Sequence, residues 1–295
     1  MKPPSPRLLL LLVAVAAALG AGLALVTKPS KARPAAAANL APFSEPRAYA
    51  LVKRVLAYGP RPAGSMAERR LADALVHLLP GGHFEAVPGG LRNIVGELPG
   101  REPAIVLGAH YDTTPVPGYV GANNSAAGVA AVIEIARDLA RDRAAAGEEA
   151  IDFVLFDGEE APAGATDFLE SGLRGSKAYV EAHGSTTREM VLLDFIAVRN
   201  EQIARDAGSN PQLWARLRSA AAQVGAESYF PDRTGEEIYD DDTPFNAAGI
   251  PAIDLIAWPY ACWQKDCDTL GQVSQASLGA VGETVLALMR DERGA

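Results

Sequence analysis

The stretch IVLGAHYDTTPVPGYVGANNSAAGVAAVIEIARDL, residues 105–139, decides the fold of this chain. Its apolar start predicts a buried strand that ends at His110 and Asp112. A Gly/Pro loop follows, and the Asn-Asn-Ser segment 123–125 predicts a polar cap on an amphipathic helix. In open α/β sheets, ligands bind beyond the carboxyl ends of the strands. The stretch therefore puts a His-x-Asp pair where we expect a functional site.

The rest of the chain alternates apolar runs with amphipathic segments, which is typical of an α/β domain. Strands are predicted at 83–87, 91–98, 104–110, 151–156, 190–198 and 251–257. Helices are predicted at 68–79, after residue 123, and at 176–182, 211–224 and 277–289. No internal repeat interrupts this order.

Composition narrows the class of protein. A chain of 295 residues with 48% hydrophobic and 21% charged residues can bury a full core, so we expect one large domain over residues 41–295. The net charge of −9 and the scattering of basic residues argue against a nucleic-acid partner.

The first forty residues, 1–40, are expected to lie outside the fold. Lys2 and Arg7 precede an apolar run at 8–26, and an Ala/Pro linker follows it. A run of this length just spans a bilayer core of roughly 30 Å. It predicts a transmembrane signal anchor, or a signal peptide that is cleaved near the Ala tract. Either alternative makes the domain extracytoplasmic, attached to the membrane or secreted.

The two cysteines, Cys262 and Cys267, lie in one loop near the C-terminus. In an oxidising compartment they could close a small disulfide ring, and the alternative is a pair of free thiols. A ring this short would act as a local clamp on the loop, because short rings restrict the unfolded chain least.

Residues that can carry chemistry follow the apolar strands. They are His110, Asp112, Glu159, Glu160 and Asp194. Four carboxylates and an imidazole at one sheet edge would repel each other without a cation, which favours a site for zinc or a similar divalent ion. The alternative for each residue alone is a loop position or a helix cap. Their shared position after strands favours the metal site.

Several motifs together resemble one known family. They are GAHYD, VGANNSAAGVA, FVLFDGEE, LRGSKAYV, LLDFIA, DDDTPFNAAGIPAIDLI and CWQKDCDTL, in that order. This arrangement resembles the zinc aminopeptidase and glutaminyl cyclase family, metallopeptidase family 28. The resemblance implies a three-layer α/β sandwich with a central mixed, mostly parallel sheet flanked by helices. It also implies peptide or protein N-termini as substrates, either for release of the first residue or for cyclisation of an N-terminal glutamine.

The same resemblance assigns roles to the residues after the strands. His110 and Asp194 match ligands of a first metal position, and Asp112 matches the acid that orients the histidine. Glu159 matches the catalytic general base, and Glu160 matches a ligand of a second metal position.

Two positions depart from the family pattern. Asn124 stands where the family has an aspartate that bridges two metals, and Gln264 stands where a histidine normally follows the tryptophan. Asp242 also replaces a histidine that is not a ligand. Amide oxygens are weak zinc donors, so we expect weakened or absent zinc binding at the set His110, Asn124, Glu160, Asp194 and Gln264.

Two functions follow from this pattern. One is a metalloenzyme acting on peptide N-termini through a modified metal site, and the other is a catalytically inactive relative that binds peptides or partners at the membrane. The longer insertion between Glu160 and Gly175 resembles the glutaminyl cyclase branch. It is interpreted either as a lid at the mouth of the site or as a surface loop without consequence.

Overall fold

A mixed sheet of six strands crosses the part of the chain described by the structure, a computed structural model covering residues 40–142, 147–200 and 202–294. The strands are β1 (His83–Val87), β2 (Leu91–Leu98), β3 (Arg101–His110), β4 (Glu149–Phe156), β5 (Thr187–Leu193) and β6 (Ala252–Leu255). Their spatial order is β1-β2-β4-β3-β5-β6. Strand β2 runs antiparallel to β1 and β4, whereas the β4-β3-β5-β6 pairings are parallel. The predicted mixed, mostly parallel sheet is confirmed.

Helices connect and cover these strands. They are α1 (Glu45–Leu56), α2 (Met66–Leu75), α3 (Gly128–Arg141), α4 (Phe168–Ser171), α5 (Arg174–His183), α6 (Pro211–Val224), α7 (Thr243–Ala247) and α8 (Gln275–Arg293). Helix α3 contacts β3 directly, α1 packs on α3 and α8, and α6 packs on α8. Helices α5 and α7 contact each other.

Successive side chains of the central strands point to opposite faces of the sheet, and each face has its own core. Leu107, Phe153 and Val191 belong to the larger core, which includes α1, α3 and α8. The adjacent residues of the same strands belong to the second core with Tyr179 of α5 and Phe245 of α7. Helices therefore cover both faces, which gives the three-layer arrangement.

The structure differs from the predicted elements in several places. Helix α1 was not predicted, although its buried residues Ala48, Leu51, Val52 and Val55 follow a helical period. Strand β5 ends at Leu193 rather than residue 198, because Phe195 takes a positive φ of 42° that a strand cannot continue through. Helix α3, which was predicted to follow residue 123, starts at Gly128.

The predicted N-terminal anchor, with its apolar run at 8–26, lies outside the described residues. Within the described ranges, no helix combines the length and apolar character needed to cross a membrane.

Candidate active site at the carboxyl edge of the sheet

The neighbouring parallel strands β4, β3 and β5 bring the predicted residues together. His110 is the last residue of β3, and Asp194 directly follows β5. Glu159 and Glu160 lie in the loop that leaves β4. All four side chains are buried, with at most 7% of any of these residues exposed. The juxtaposition expected from the strand ends is therefore what the structure has.

Asp112 links the histidine to the two glutamates. One of its carboxylate oxygens lies 3.4 Å from His110 Nδ1 and also accepts a hydrogen bond from the Glu159 backbone N–H at 3.2 Å. Its other oxygen accepts from the Glu160 N–H at 3.3 Å. Asp112 thus contacts the imidazole and holds the backbone of the Glu pair, and its role in orienting the histidine stays a prediction.

The imidazole of His110 lies among carboxylates. Its Nε2 is 3.6 Å from Asp194 Oδ1, and its Nδ1 is 3.7 Å from Glu159 Oε2. Burial alone would lower the pKa of His110, but the neighbouring carboxylates of Asp112, Asp194 and Glu159 raise that pKa well above its ordinary value. A protonated imidazole offsets part of the negative charge of the site.

Glu159 and Glu160 hold protons more strongly than exposed glutamates do. Burial, together with the charge of Glu160, raises the pKa of Glu159 well above its ordinary value. Burial raises the pKa of Glu160 to about 7; His110 opposes this shift, and the charges of Asp112 and Asp194 add to it. A carboxyl group of this kind can accept or donate a proton near neutral pH.

Asn124 contacts Glu160 through its amide nitrogen. The Asn124 Nδ2 donates to Glu160 Oε1 at 3.3 Å, whereas Asn124 Oδ1 is buried and has no hydrogen-bond partner in the described part of the chain. Asp268 holds this segment by accepting from the backbone N–H groups of Asn123 and Asn124 and from Tyr260 Oη. Asp268 therefore holds the segment at Asn124 in place, and the Asn124 Oδ1 remains an acceptor without a donor in the described part of the chain.

The predicted helix cap at 123–125 is wrong in its mechanism. No side chain of the segment caps helix α3, and Asn124 has the non-helical dihedral angles φ −102° and ψ 88°. Ser125 Oγ instead donates to the backbone carbonyl of Asp112 at 3.0 Å. These polar residues connect the loops of the site to each other. The sequence pattern is the same for this role and for a helix cap, so the sequence alone could not distinguish them.

Gln264 lies apart from the buried cluster but lines the same cavity. It is exposed, has a positive φ of 50°, and belongs to the loop closed by a Cys262–Cys267 disulfide. Trp258 and Trp263 also line the cavity, with ring centroids 5.1 Å apart. The third tryptophan, Trp214, is instead a buried core residue.

The cavity has a volume of about 520 Å³ and opens at the carboxyl edge of the sheet. Six acidic side chains line it, and no lysine, arginine or histidine among the described residues does: Glu159, Glu160, Asp194, Glu236, Glu237 and Asp240. The insertion after Glu160 supplies Ala161, Ala165, Thr166 and Phe168 to its wall. The insertion therefore forms part of the mouth of the site.

Sequence reasoning missed two contributors. Asp240 is buried in the wall, and burial with the charges of Asp194 and Asp241 raises its pKa well above the ordinary value. Arg61 is fully buried and spans the site loops. It donates hydrogen bonds to Tyr111 O, Val120 O, Gly121 O and Ser125 Oγ. Its position between Pro60 and Pro62, which marks an ordered turn, was the only local signal.

The side chains at the two predicted metal positions do not fit zinc. A protein zinc site normally has about three good nitrogen, sulfur or carboxylate ligands. Only His110 and Asp194 meet this description at the first position, and only Glu160 at the second. Asn124 turns an N–H toward Glu160. Across the described ranges, no three His, Cys, Asp or Glu side chains are grouped so that they could hold a metal ion.

Comparisons with known proteins agree with this architecture. The sequence profile of Peptidase family M28 matches residues 93–289. A bovine (Bos taurus) glutaminyl-peptide cyclotransferase-like protein is 27% identical over 251 residues, covering 71% of this chain and 65% of that protein. Aminopeptidase YwaD of Bacillus subtilis (strain 168) is 30% identical over 207 residues, covering 63% of this chain and 41% of that protein. The chain thus spans about two thirds or less of the length of these relatives.

Solved structures give the same result. Porphyromonas gingivalis glutaminyl cyclase superposes with a TM-score of 0.76 at 28% identity, covering 85% of this chain and 99% of that one. A Zn-dependent exopeptidase from Parabacteroides distasonis ATCC 8503 superposes with a TM-score of 0.75 at 25% identity, with the same coverage. The fold, the site and the profile match together show that the chain belongs to Peptidase family M28.

Proposed function

We propose that this protein binds the free amino terminus of a peptide in the acid-lined cavity, and that it has kept the family's cleft while losing the family's zinc. The observation that carries the proposal is the inner wall of the cavity. There, Glu159, Glu160 and Asp194 line the same cavity as Asn124, whose buried Oδ1 has no hydrogen-bond partner among the residues that the structure describes.

An ammonium group matches this wall. It carries one positive charge and three N–H donors, and the wall offers several carboxyl and amide oxygens that can accept hydrogen bonds. A cation that binds there reduces the repulsion between the carboxylates, which is the electrostatic task of a metal in a family site. The amide oxygen of Asn124 also accepts an N–H bond more readily than it holds zinc.

Calorimetric titration of the full-length chain with Ala-Ala-Ala amide and with its N-acetylated form tests the proposal. We expect the free amine to bind at least about tenfold more tightly, because charge-assisted hydrogen bonds contribute roughly 1.5–3 kcal/mol. Glu160→Gln should weaken the binding, and Glu181→Gln on exposed surface should not. Equal affinity for the two peptides would refute the proposal.

A second candidate function is turnover of the family type, either release of the first residue or cyclisation of an N-terminal glutamine. The buried Glu159 with its raised pKa favours it, because such a carboxyl can move a proton at a bound amine. Mass spectrometry of peptides with N-terminal glutamine or leucine would detect loss of ammonia or of the first residue. Either product must disappear in Glu159→Gln if the site produces it.

We further propose that residues 1–40 attach domain 41–295 to a membrane on its extracytoplasmic side or direct its secretion. The apolar run at 8–26 and its basic flanks support this localisation. Protease added to intact cells that express the chain should cleave the domain if it is extracytoplasmic. Cleavage only after lysis would contradict the localisation.

A further inference from the structure

We propose that the mouth of the cavity is a second cation subsite, and that the bound peptide begins with a lysine or arginine. The subsite is formed by Glu236 and Glu237 with the aromatic side chains of Tyr239 and Trp263. This inference rests on the proposed function, since it takes the α-ammonium of the peptide to be bound at the inner wall.

The two glutamates are exposed and are available to a ligand. Both side chains line the cavity, and neither carboxylate forms an ion pair or a hydrogen bond with any residue that the structure describes. Most acidic residues at a protein surface point into bulk solvent at scattered positions. Glu236 and Glu237 instead face a cavity whose lining contains four further acids and no basic side chain from the described chain.

The backbone that carries the glutamates is held in place. The Glu236 carbonyl accepts a hydrogen bond from Ala207 N at 3.0 Å, and Ile238 N donates to the buried Asp206 at 2.8 Å. Gly235 N also donates to Arg205 O at 2.7 Å. Fixed backbone positions on both sides of the pair lower the entropy cost of placing two carboxylates near a ligand.

Aromatic rings complete the subsite. Tyr239 is 49% exposed and Trp263 is 44% exposed, and both line the cavity. Trp263 packs edge-to-face against Trp258 with an interplanar angle of 81°, and this contact helps to hold its ring in place. Aromatic faces attract ammonium and guanidinium groups, and such contacts recur where proteins recognise organic cations.

The inner wall points to an amine independently of the acidic residues. Asn124 lines the cavity and is 3% exposed, and its buried Oδ1 has no partner in the described part of the chain. A bound α-ammonium would supply the missing N–H. The side chain of that same first residue would then extend toward the mouth, where Glu236 and Glu237 can pair with a terminal cation.

Calorimetry on the full-length chain tests the inference with three peptide amides that differ in one group: Lys-Ala-Ala, Nε-acetyl-Lys-Ala-Ala and norleucine-Ala-Ala. The lysine peptide should bind roughly tenfold more tightly than the other two, since partly exposed ion pairs and cation–π contacts each contribute modestly. Glu236→Gln combined with Glu237→Gln should abolish this difference. The matched control, Glu181→Gln with Glu227→Gln, changes net charge equally on exposed surface and should retain it.

The outcomes separate this inference from the proposed function. Equal binding of the three free-amine peptides to the wild type, or a lysine preference that survives in the cavity double variant, would overturn the second subsite while leaving amino-terminal binding intact. Failure of every free-amine peptide to bind, or equal binding of an N-acetylated peptide, would overturn both proposals. Unchanged thermal unfolding of the Gln variants serves as the check on folding.

Discussion

Replacing Asp157 by asparagine should reverse the sign of its effect on stability between acidic and alkaline pH. Asp157 follows β4, is fully buried, and accepts one hydrogen bond, from Arg92 N at 2.9 Å, whereas its Oδ1 has no partner in the described chain. Burial, together with the charges of Asp112 and Glu68, raises the pKa of Asp157 from 3.8 to about 7.

The sign follows from linkage. Because the folded pKa lies above the unfolded one, the contribution of Asp157 to stability is fully present below about pH 4 and is lost as pH rises through about 7. The difference between 3.8 and about 7 corresponds to roughly 4 kcal/mol. An asparagine at this position would not titrate, but its amide N–H would lack a partner at a cost of about 1–3 kcal/mol.

The Asp157→Asn variant should therefore be less stable than the wild type near pH 4.5 and more stable by roughly 1–3 kcal/mol near pH 8. Urea unfolding followed by tryptophan fluorescence at both pH values measures this. Asp232→Asn is the matched control, because its side chain is 91% exposed and should show no such reversal. A stability difference for Asp157→Asn that is the same at both pH values would refute the reasoning.

Further variants test the loops that build the site. Arg61→Ala should lower the free energy of unfolding by about 4 kcal/mol in urea titrations, since three buried acceptors and one partly buried acceptor lose their donor, whereas exposed Arg70→Ala should change it by less than about 0.5 kcal/mol. Asp268→Ala should lower the free energy of unfolding by about 3 kcal/mol and weaken free-amine peptide binding, because the segment at Asn124 loses its anchor. Tyr260→Phe removes only one of the hydrogen bonds that Asp268 accepts, so it should lower the free energy of unfolding by about 1 kcal/mol. Equal costs for the two variants would contradict the anchoring role of Asp268.

The strand ends could be predicted from the sequence because they depend on the hydrophobic pattern of a few consecutive residues. Continuous apolar runs such as that before His110 predict buried parallel strands, and the carboxyl ends of neighbouring parallel strands share one edge. The chemical type of the residues that follow, Glu159, Glu160 and Asp194, then indicates a site without knowledge of the exact register.

Other features depend on partners far away in sequence and could not be predicted locally. Asp268 acts on Asn124 across 144 positions, and Arg61 acts on Ser125 across 64. Neither has a periodic pattern around it. The end of β5 was missed because residue 195 belongs to an apolar run that continues the strand pattern, whereas in the structure it has a positive φ of 42°.

The domain boundary near residue 40 and the assigned roles of His110, Glu160 and Gln264 remain predictions. The structure brings the buried site residues after the strands together, and their contacts define the variants that can test each role. The acidic wall itself was foreseen only in part, because Glu236, Glu237 and Asp240 follow no strand and carry no motif signal beyond the run of aspartates.

Zinc content tests the central claim most directly. The full-length chain, dialysed against trace zinc and then analysed for metal, should retain far less than about one zinc per chain, whereas Asn124→Asp combined with Gln264→His should retain about one or more because it recovers the family's donors. Asn200→Asp combined with Gln223→His makes the same exchanges on exposed surface and should behave as the wild type does. About one zinc or more on the wild-type chain would contradict the claim that this cleft has exchanged a metal for an organic cation.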